Sequence, residues 1–185
     1  MTGLDAAATL AGPAAWALLA VAAFGAGVLN AIAGGGSFLT LPALVFTGVP
    51  PIAANATSAL AVSPGYLGSV WGFRSELKAL DPRLLRREAL LASVGGVAGA
   101  MLLLVTPAKV FSGLIPWLLL FATVLFAAGP AIVRRTANAS REGHGLTKWR
   151  EPGLLAAAIY GGYFNGGLGI LLMALYSVTG ETRIN

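Results

Sequence analysis

The sequence predicts an all-α, polytopic membrane protein with inverted-topology repeats and glycine-broken helical hairpins near the bilayer midplane. Three observations predict it: a shortage of charge, long uncharged stretches and a glycine-rich motif that occurs twice. Charged residues make up 10% of the 185 residues and hydrophobic residues 57%, whereas soluble domains carry about a quarter charged residues. We therefore expect most of the surface to face lipid, with the bilayer as the main partner.

The uncharged stretches are long enough to cross a membrane. Positions 6–73 contain no charged residue, and a helix needs roughly 20 apolar residues to span the hydrocarbon core. Further uncharged runs follow at 89–108, 110–133 and 152–180. We expect an external tail at 1–12, a first transmembrane repeat at 13–133 and the start of a second, incomplete repeat at 152–185, so the chain reads as part of a longer protein.

Proline and glycine positions predict the first helices. A helix is expected from about Pro13 to Ala33, since proline suits a first helical turn and the glycine run at 34–36 ends the regular backbone. The apolar segment 37–47 is too short to cross alone and suits a half-helix. A break in the backbone is therefore expected at membrane depth.

The next segment, 52–73, follows a turn at Pro50 and Pro51 and is long enough to cross. Pro64 and Gly65 predict a kink. Gly68 and Gly72 predict a face for close packing against another helix.

Two basic loops predict the sidedness of the chain. The loops at 74–87 and 134–151 are rich in arginine and lysine, which favours the cytoplasmic side. The two helices between them, about 88–105 and 110–133, are expected to cross the membrane outward and back. The helix that ends at Arg74 then starts outside. If the Gly34 region is the bottom of a hairpin, the N-terminal tail is external as well.

The glycine motif repeats at a constant spacing. One copy would begin outside and the other inside, which gives the inverted topology common in secondary transporters. At an offset of 132, the identical pairs are Gly34 and Gly166, Gly35 and Gly167, Leu39 and Leu171, Thr47 and Thr179, and Gly48 and Gly180.

The repeated breaks point to an anion site. A helix that restarts after a break presents free N–H groups and the positive end of its dipole. Ser37 and Thr40 add hydroxyl donors, and Asn30 and Asn55 add amides, with Asn165 and Asn185 as related positions of the second half. The alternatives are that the glycines only permit tight packing, that the amides only bridge helices, and that the hydroxyls bond preceding carbonyls.

Other function classes lack the necessary residues. The basic residues lie in short loops, so we expect no nucleic-acid partner. The chain has no cysteine, and no lysine follows Gly34-Gly35-Gly36-Ser37 as a phosphate-binding loop requires. The single histidine, His144, is expected to be a solvated loop residue. We therefore predict no enzyme activity, no metal and no cofactor.

The motif NAIAGGGSFLTLPALVFTGVPPIAANATSAL, residues 30–60, resembles the opening repeat of the TauE/SafE family of sulfite exporters. YGGYFNGGLGILLMAL, residues 160–175, is similar to that family's second-half motif. Two positions depart from the family pattern. The family often has an acidic residue at the position of Asn30, and a Gly-Pro pair is frequent where this chain has Asn165. The resemblance implies a multi-pass permease of the bacterial inner membrane that exports sulfite, sulfonates or related small anions. It implies these substrate-binding residues: Asn30, Gly34, Gly35, Gly36, Ser37, Thr40, Asn55, Asn165, Gly166, Gly167 and Gly169.

The energy source can also be hypothesised from composition. The expected spans contain almost no titratable side chain apart from boundary residues such as Glu88 and Lys109, whereas a proton relay needs such groups. We therefore expect export to be driven by the membrane potential. The competing interpretation is a membrane-embedded structural or assembly subunit with no transport activity.

Overall fold

The computed structural model describes residues 12–141 and 149–179, which form eight α-helices and no strand. The all-α fold class is therefore confirmed. Several predictions fall outside the described residues: the external tail up to position 11, His144, and the positions from Gly180 onward, including Asn185.

Three helices form the first part of the chain: α1 at Pro13–Ala33, α2 at Ser37–Phe46 and α3 at Pro51–Gly72. These bounds lie within two residues of the predicted ones. Proline occupies the first turn of both α1 and α3, where its missing N–H costs no hydrogen bond. Helices α1 and α2 form an antiparallel hairpin, the first hairpin.

The kink expected at Pro64 does not interrupt α3, and the packing face expected at Gly68 and Gly72 has no partner among the described residues. The helix runs without a break through Pro64. No atom of the described residues lies within 4 Å of a β-carbon built on Gly68 or Gly72, so this glycine pair packs against no helix of this part of the chain.

The first basic loop is largely helical. A short helix, α4 at Arg74–Ala79, precedes α5 at Pro82–Val105, which begins six residues before the predicted Glu88. The reason is a helix start that the sequence contains: the Asp81 carboxylate accepts a hydrogen bond of 2.9 Å from the Arg83 N–H, and Pro82 follows it at the first helical position.

The remaining helices are α6 at Ala108–Arg141, α7 at Arg150–Tyr163 and α8 at Leu168–Val178. Helix α6 passes its expected end at Val133, so the predicted loop at 134–151 is helical at both ends. With 34 residues it is about 50 Å long and exceeds the hydrocarbon core. Helices α7 and α8 form the second hairpin, in which Gly153 faces Leu175 and Gly161 faces Leu168.

Glycines let α5 and α7 pack closely side by side. A methyl group on Gly99 would overlap the Ile159 carbonyl, and one on Gly162 would overlap the carbonyl of Gly96. Because Glu88 pairs with Arg150 and Gly99 lies beside Ile159, the two helices run in the same direction. Close approach through small residues is typical of helix packing in membranes.

The outer surface is strongly apolar. The helices at Pro13–Ala31 and Pro82–Val105 are long and apolar enough to cross a membrane, and Ser37–Phe46 and Ala108–Val124 are shorter apolar helices. Trp16, Phe24 and Val105 are each more than 70% exposed. Such side chains are unfavourable in water, whereas lipid accommodates them. The small interior cluster comprises Leu41, Ala54, Leu103, Phe111 and Phe164.

Candidate substrate site at the tips of two broken hairpins

The tip of the first hairpin is a break made only of glycine. Helix α1 ends at Ala33, and Gly34 adopts the left-handed conformation with φ 68° while its N–H donates to the Asn30 carbonyl at 3.1 Å. Only glycine takes this conformation at low cost. Helix α2 then begins at Ser37, and the Phe38 and Leu39 N–H groups of its first turn donate to the carbonyls of Gly35 and Gly36 at 3.1 Å. The positive end of the helix dipole therefore lies at the break.

The tip of the second hairpin contains side chains as well as glycine. Helix α7 ends at Tyr163, and Phe164 and Asn165 follow it in the break. Gly167, with φ 78°, directly precedes α8. The Tyr160 hydroxyl donates to the Gly166 carbonyl at 2.9 Å. This bond satisfies a backbone group that the break leaves without a helical partner.

The two tips touch each other. A β-carbon built on Gly34 would lie 2.9 Å from the Gly169 Cα, which leaves no room for a side chain. The Asn165 amide donates to the Ser37 hydroxyl at 3.2 Å. Both residues are buried, and the Tyr66 hydroxyl on α3 also interacts with the Asn165 side chain. The starts of α2 and α8 therefore face one junction.

A cavity of about 170 Å³ lies beside the first tip, between α1, α2 and α3. Its polar lining groups are the side chains of Asn30, Thr40 and Ser69, and Gly65 lines it without a side chain. Gly36 borders the same region, since a β-carbon there would contact Asn30 and Val62. By volume, a small anion fits this space.

Asn30 carries an unsatisfied polar atom. Its Oδ1 is buried and, among the described residues, has no hydrogen-bond partner. Leaving such an acceptor unpaired costs about 1–3 kcal/mol. This cost is tolerated most readily where the side chain has a role in binding.

Thr40 is linked to α3 through a residue that the sequence interpretation missed. Its hydroxyl forms a hydrogen bond of 2.5 Å with the Ser58 hydroxyl, and Ser58 is only 1% exposed. Its second contact, to the Gly36 carbonyl at 3.5 Å, is weak. The alternative role of Thr40, bonding a preceding carbonyl of its own helix, is thus the lesser of its two interactions.

Three predicted site residues make contacts that explain them structurally. The Asn55 amide donates to the Tyr163 carbonyl at 3.0 Å and so caps the C-terminal end of α7. Gly35 lies against the ring of Phe38, and Gly166 lies against the ring of Phe164. The structure thus brings Gly34, Ser37, Asn165 and Gly169 together, places Asn30, Gly36 and Thr40 next to them, and places Asn55 at a helix end.

Sequence interpretation missed Ser58, Tyr66, Ser69 and Tyr160. A signal for two of them exists in α3. Polar or glycine residues mark one helical face at intervals of three, seven and four positions: Asn55, Ser58, Gly65 and Ser69. For Tyr66 and Tyr160 the chain offers no comparable pattern.

The site is electrically neutral in its side chains. None of the described residues named at the junction or lining the cavity is charged. The positive potential available to a ligand therefore comes from the helix ends, amides and hydroxyls.

Comparison with known proteins identifies the family. The model of the family described as "Sulfite exporter TauE/SafE" matches residues 19–184. The chain belongs to this family. The sequence resemblance is therefore confirmed, and with it the assignment as a polytopic membrane protein.

Curated TauE/SafE relatives carry transporter names. A probable membrane transporter protein, ORF9, of Sinorhizobium sp is 34% identical over 62% of this chain and 43% of its own length. One from Haemophilus influenzae is 30% identical over 63% of this chain and 45% of its own. The probable membrane transporter protein YfcA of Escherichia coli K12 is 28% identical over 83% and 54%.

The chain spans about half the length of these curated relatives. No solved structure matches the chain.

Proposed function

We propose that this chain forms part of a transporter that carries small sulfur-containing anions, such as sulfite or organosulfonates, outward across the bacterial inner membrane. One observation carries the proposal: the two glycine-broken tips meet, through Gly34 against Gly169 and Asn165 bonded to Ser37. Two helix starts converge at that junction. Each carries a positive partial charge at its start, so the potential around the junction favours an anion in the adjacent cavity beside the first tip.

Small oxyanions suit this arrangement because their charge is spread over oxygen atoms that accept hydrogen bonds. Ser37, Thr40 and Asn165 offer hydroxyl and amide donors next to the helix starts. The missing cationic side chain favours weak, reversible binding, since transport requires that the substrate also leave. Binding by backbone and neutral groups needs no cofactor.

The membrane potential supplies the driving force in this proposal. A monovalent anion that leaves a negative interior gains about 2.3 kcal/mol per 100 mV. In the described part of the spans, Glu88 is the carboxylate nearest to membrane depth, and Arg150 holds it in an ion pair of 2.6 Å. The described spans therefore offer no series of carboxylates along which a proton could pass.

The assembly-subunit alternative retains one supporting observation. The glycines that join α5 to α7 serve helix contact alone, as Gly99 against Ile159 illustrates. The tip glycines differ, because Gly34 and Gly167 hold left-handed backbone at breaks. The alternative is best judged by measuring flux.

Flux should be measured with the full-length protein in liposomes loaded with sulfite. We expect efflux when a potassium gradient with valinomycin makes the interior negative, and little response to a pH gradient alone. Asn165→Ala should lower efflux about tenfold or more. Gly113→Ala is the control, since nothing lies within 4 Å of a β-carbon at that exposed position, and it should transport normally.

Two results would count against the proposal. Folded protein with no flux of sulfite or organosulfonates above empty liposomes would favour the assembly subunit. Flux that follows the pH gradient and ignores the potential would leave transport intact but refute the proposed coupling.

A further inference from the structure

Helix α5 has two chemically different faces. The inward face packs on the other helices through Glu88, Gly95, Gly99 and Leu103. The outward face begins with arginines and continues as an apolar stripe. In order along the helix, its residues are Arg83, Arg86, Arg87, Leu90, Val94, Val97 and Met101.

Two of the three arginines at the start of this face have no ion-pair partner among the described residues. Arg87 forms an exposed ion pair of 2.9 Å with Glu151. Arg83 and Arg86 are exposed and form no ion pair with any described residue. Together with Pro82 and Leu90, the three arginines line a surface hollow of about 370 Å³. A negatively charged group placed there would meet two free guanidinium groups.

The apolar stripe follows without interruption. Leu90, Val94, Val97 and Met101 are each 61–63% exposed. They recur every three or four residues and therefore form one line along the helix. From Leu90 to Met101 the line is about 16 Å long at 1.5 Å per residue. This length lies within one leaflet of a bilayer.

The arginines lie at the membrane–water boundary. Trp71 at the end of α3 is 72% exposed, and the Arg74 guanidinium stacks on its ring at 5.3 Å. Tryptophan is enriched at this depth. The short helix α4 joins that end of α3 to the start of α5, so Arg83 and Arg86 lie near the same boundary.

We propose that the outward face of α5 binds an anionic phospholipid, with the phosphate at Arg83 and Arg86 and an acyl chain along the stripe from Leu90 to Met101. Basic clusters at the ends of membrane helices attract anionic headgroups. Guanidinium groups pair with phosphate oxygens in a forked geometry. The stripe distinguishes a lipid from free phosphate, because only the lipid has a chain to lay on it.

Lipid retention can be measured by native mass spectrometry of the full-length protein in detergent, with phosphatidylglycerol or phosphatidylcholine added. We expect selective retention of phosphatidylglycerol. The double variant Arg83→Gln with Arg86→Gln should reduce its affinity about 30-fold, since each basic residue near an anionic leaflet contributes about 1 kcal/mol. The affinity for phosphatidylcholine should change little.

The matched control removes two cations from the same basic segment but away from the stripe. Arg74→Gln with Lys78→Gln has the same change in net charge and should retain phosphatidylglycerol within about threefold of the parent. Equal losses in both double variants would show general surface charge and overturn the site. The site would also be overturned if the parent protein showed no preference for phosphatidylglycerol, or if equimolar inorganic phosphate displaced the lipid. None of these measurements depends on transport.

Discussion

The two hairpins share a sequence motif but differ in what their tips contain. The first tip is a run of glycine between α1 and α2, with the left-handed residue, Gly34, directly after α1. The second tip contains Phe164 and Asn165, and its left-handed residue, Gly167, stands directly before α8. The first tip thus offers mainly backbone, whereas the second offers an amide side chain and a fully buried aromatic ring.

The hairpins also differ in how they are held. Helix α7 packs along α5 through glycine contacts. The ion pair between Arg150 and Glu88 joins the starts of these two helices. The Tyr176 hydroxyl of α8 also donates to Glu88, at 3.3 Å. Helix α1 is longer, at 21 residues against 14, and exposes large side chains such as Trp16 and Phe24. Near-symmetric motifs therefore occur in one hairpin that an ion pair and glycine contacts anchor, and in another that exposes more of its large side chains among the described residues.

Breaking the anchor of the second hairpin should have the largest effect on stability. Glu88→Gln removes the carboxylate that pairs with the Arg150 guanidinium, whose side chain is 12% exposed. We expect a loss of about 2–3 kcal/mol, somewhat below the value for a fully buried pair. Thermal unfolding of the purified protein in detergent measures it.

Glu151→Gln is the control, because it breaks a second ion pair between the same two helices. That pair, with Arg87, is exposed on both sides and should contribute less than about 1 kcal/mol. Equal destabilisation by the two variants would show that burial of the Glu88 pair does not anchor the hairpin.

The contact between the tips should be the next most sensitive feature. Gly34→Ala places a methyl group against the Gly169 backbone and forces alanine into a left-handed conformation, which alone costs about 1–2 kcal/mol. We expect sulfite efflux to be lost and stability to fall by about 2 kcal/mol. Gly68→Ala, with open space around it, should leave both unchanged. Normal efflux in Gly34→Ala would show that transport does not depend on the contact between the tips.

The helices could be predicted well from sequence where proline and glycine mark their ends. Both ends of α1 and the start of α2 follow from Pro13 and the glycine run at 34–36. The start of α5 was misplaced because charge was read as loop. Asp81 and Pro82 form a helix start there, and arginines occupy the first turns of the helix, since charged side chains at a helix end still reach water.

The site could be predicted only in part. Glycine runs identify the helix breaks, so Gly34 and Gly167, which hold left-handed backbone there, could be found from sequence. The pairing of Ser37 with Asn165, 128 residues apart, depends on the packing of whole helices. Asn55 shows the same limit, because its amide suits both a ligand contact and a bridge between helices. Its partner in the structure is a helix end that only the tertiary fold brings within 3.0 Å.

Asn55 provides a smaller test of how the second hairpin is built. Asn55→Asp keeps the size of the side chain but replaces its N–H donor with a carboxylate oxygen, so the Tyr163 carbonyl loses its hydrogen bond and faces a second acceptor. We expect a loss of about 1–2 kcal/mol, measured by thermal unfolding. Ser63→Ala on the same helix removes only a bond to the helix's own backbone and should have little effect. If Asn55→Asp left the thermal stability unchanged, α7 would end stably without this cap.

The weakest effect on stability is expected at the bond that joins the two tips. Ser37→Ala removes the acceptor of a 3.2 Å hydrogen bond from Asn165, which contributes about 0.5–1.5 kcal/mol. If the hydroxyl also binds the anion, the concentration of sulfite at half-maximal flux should rise severalfold while the thermal midpoint falls only slightly. Ser37→Thr should restore it, because threonine retains the hydroxyl. A loss of stability with unchanged sulfite dependence would limit Ser37 to holding the first tip against the second.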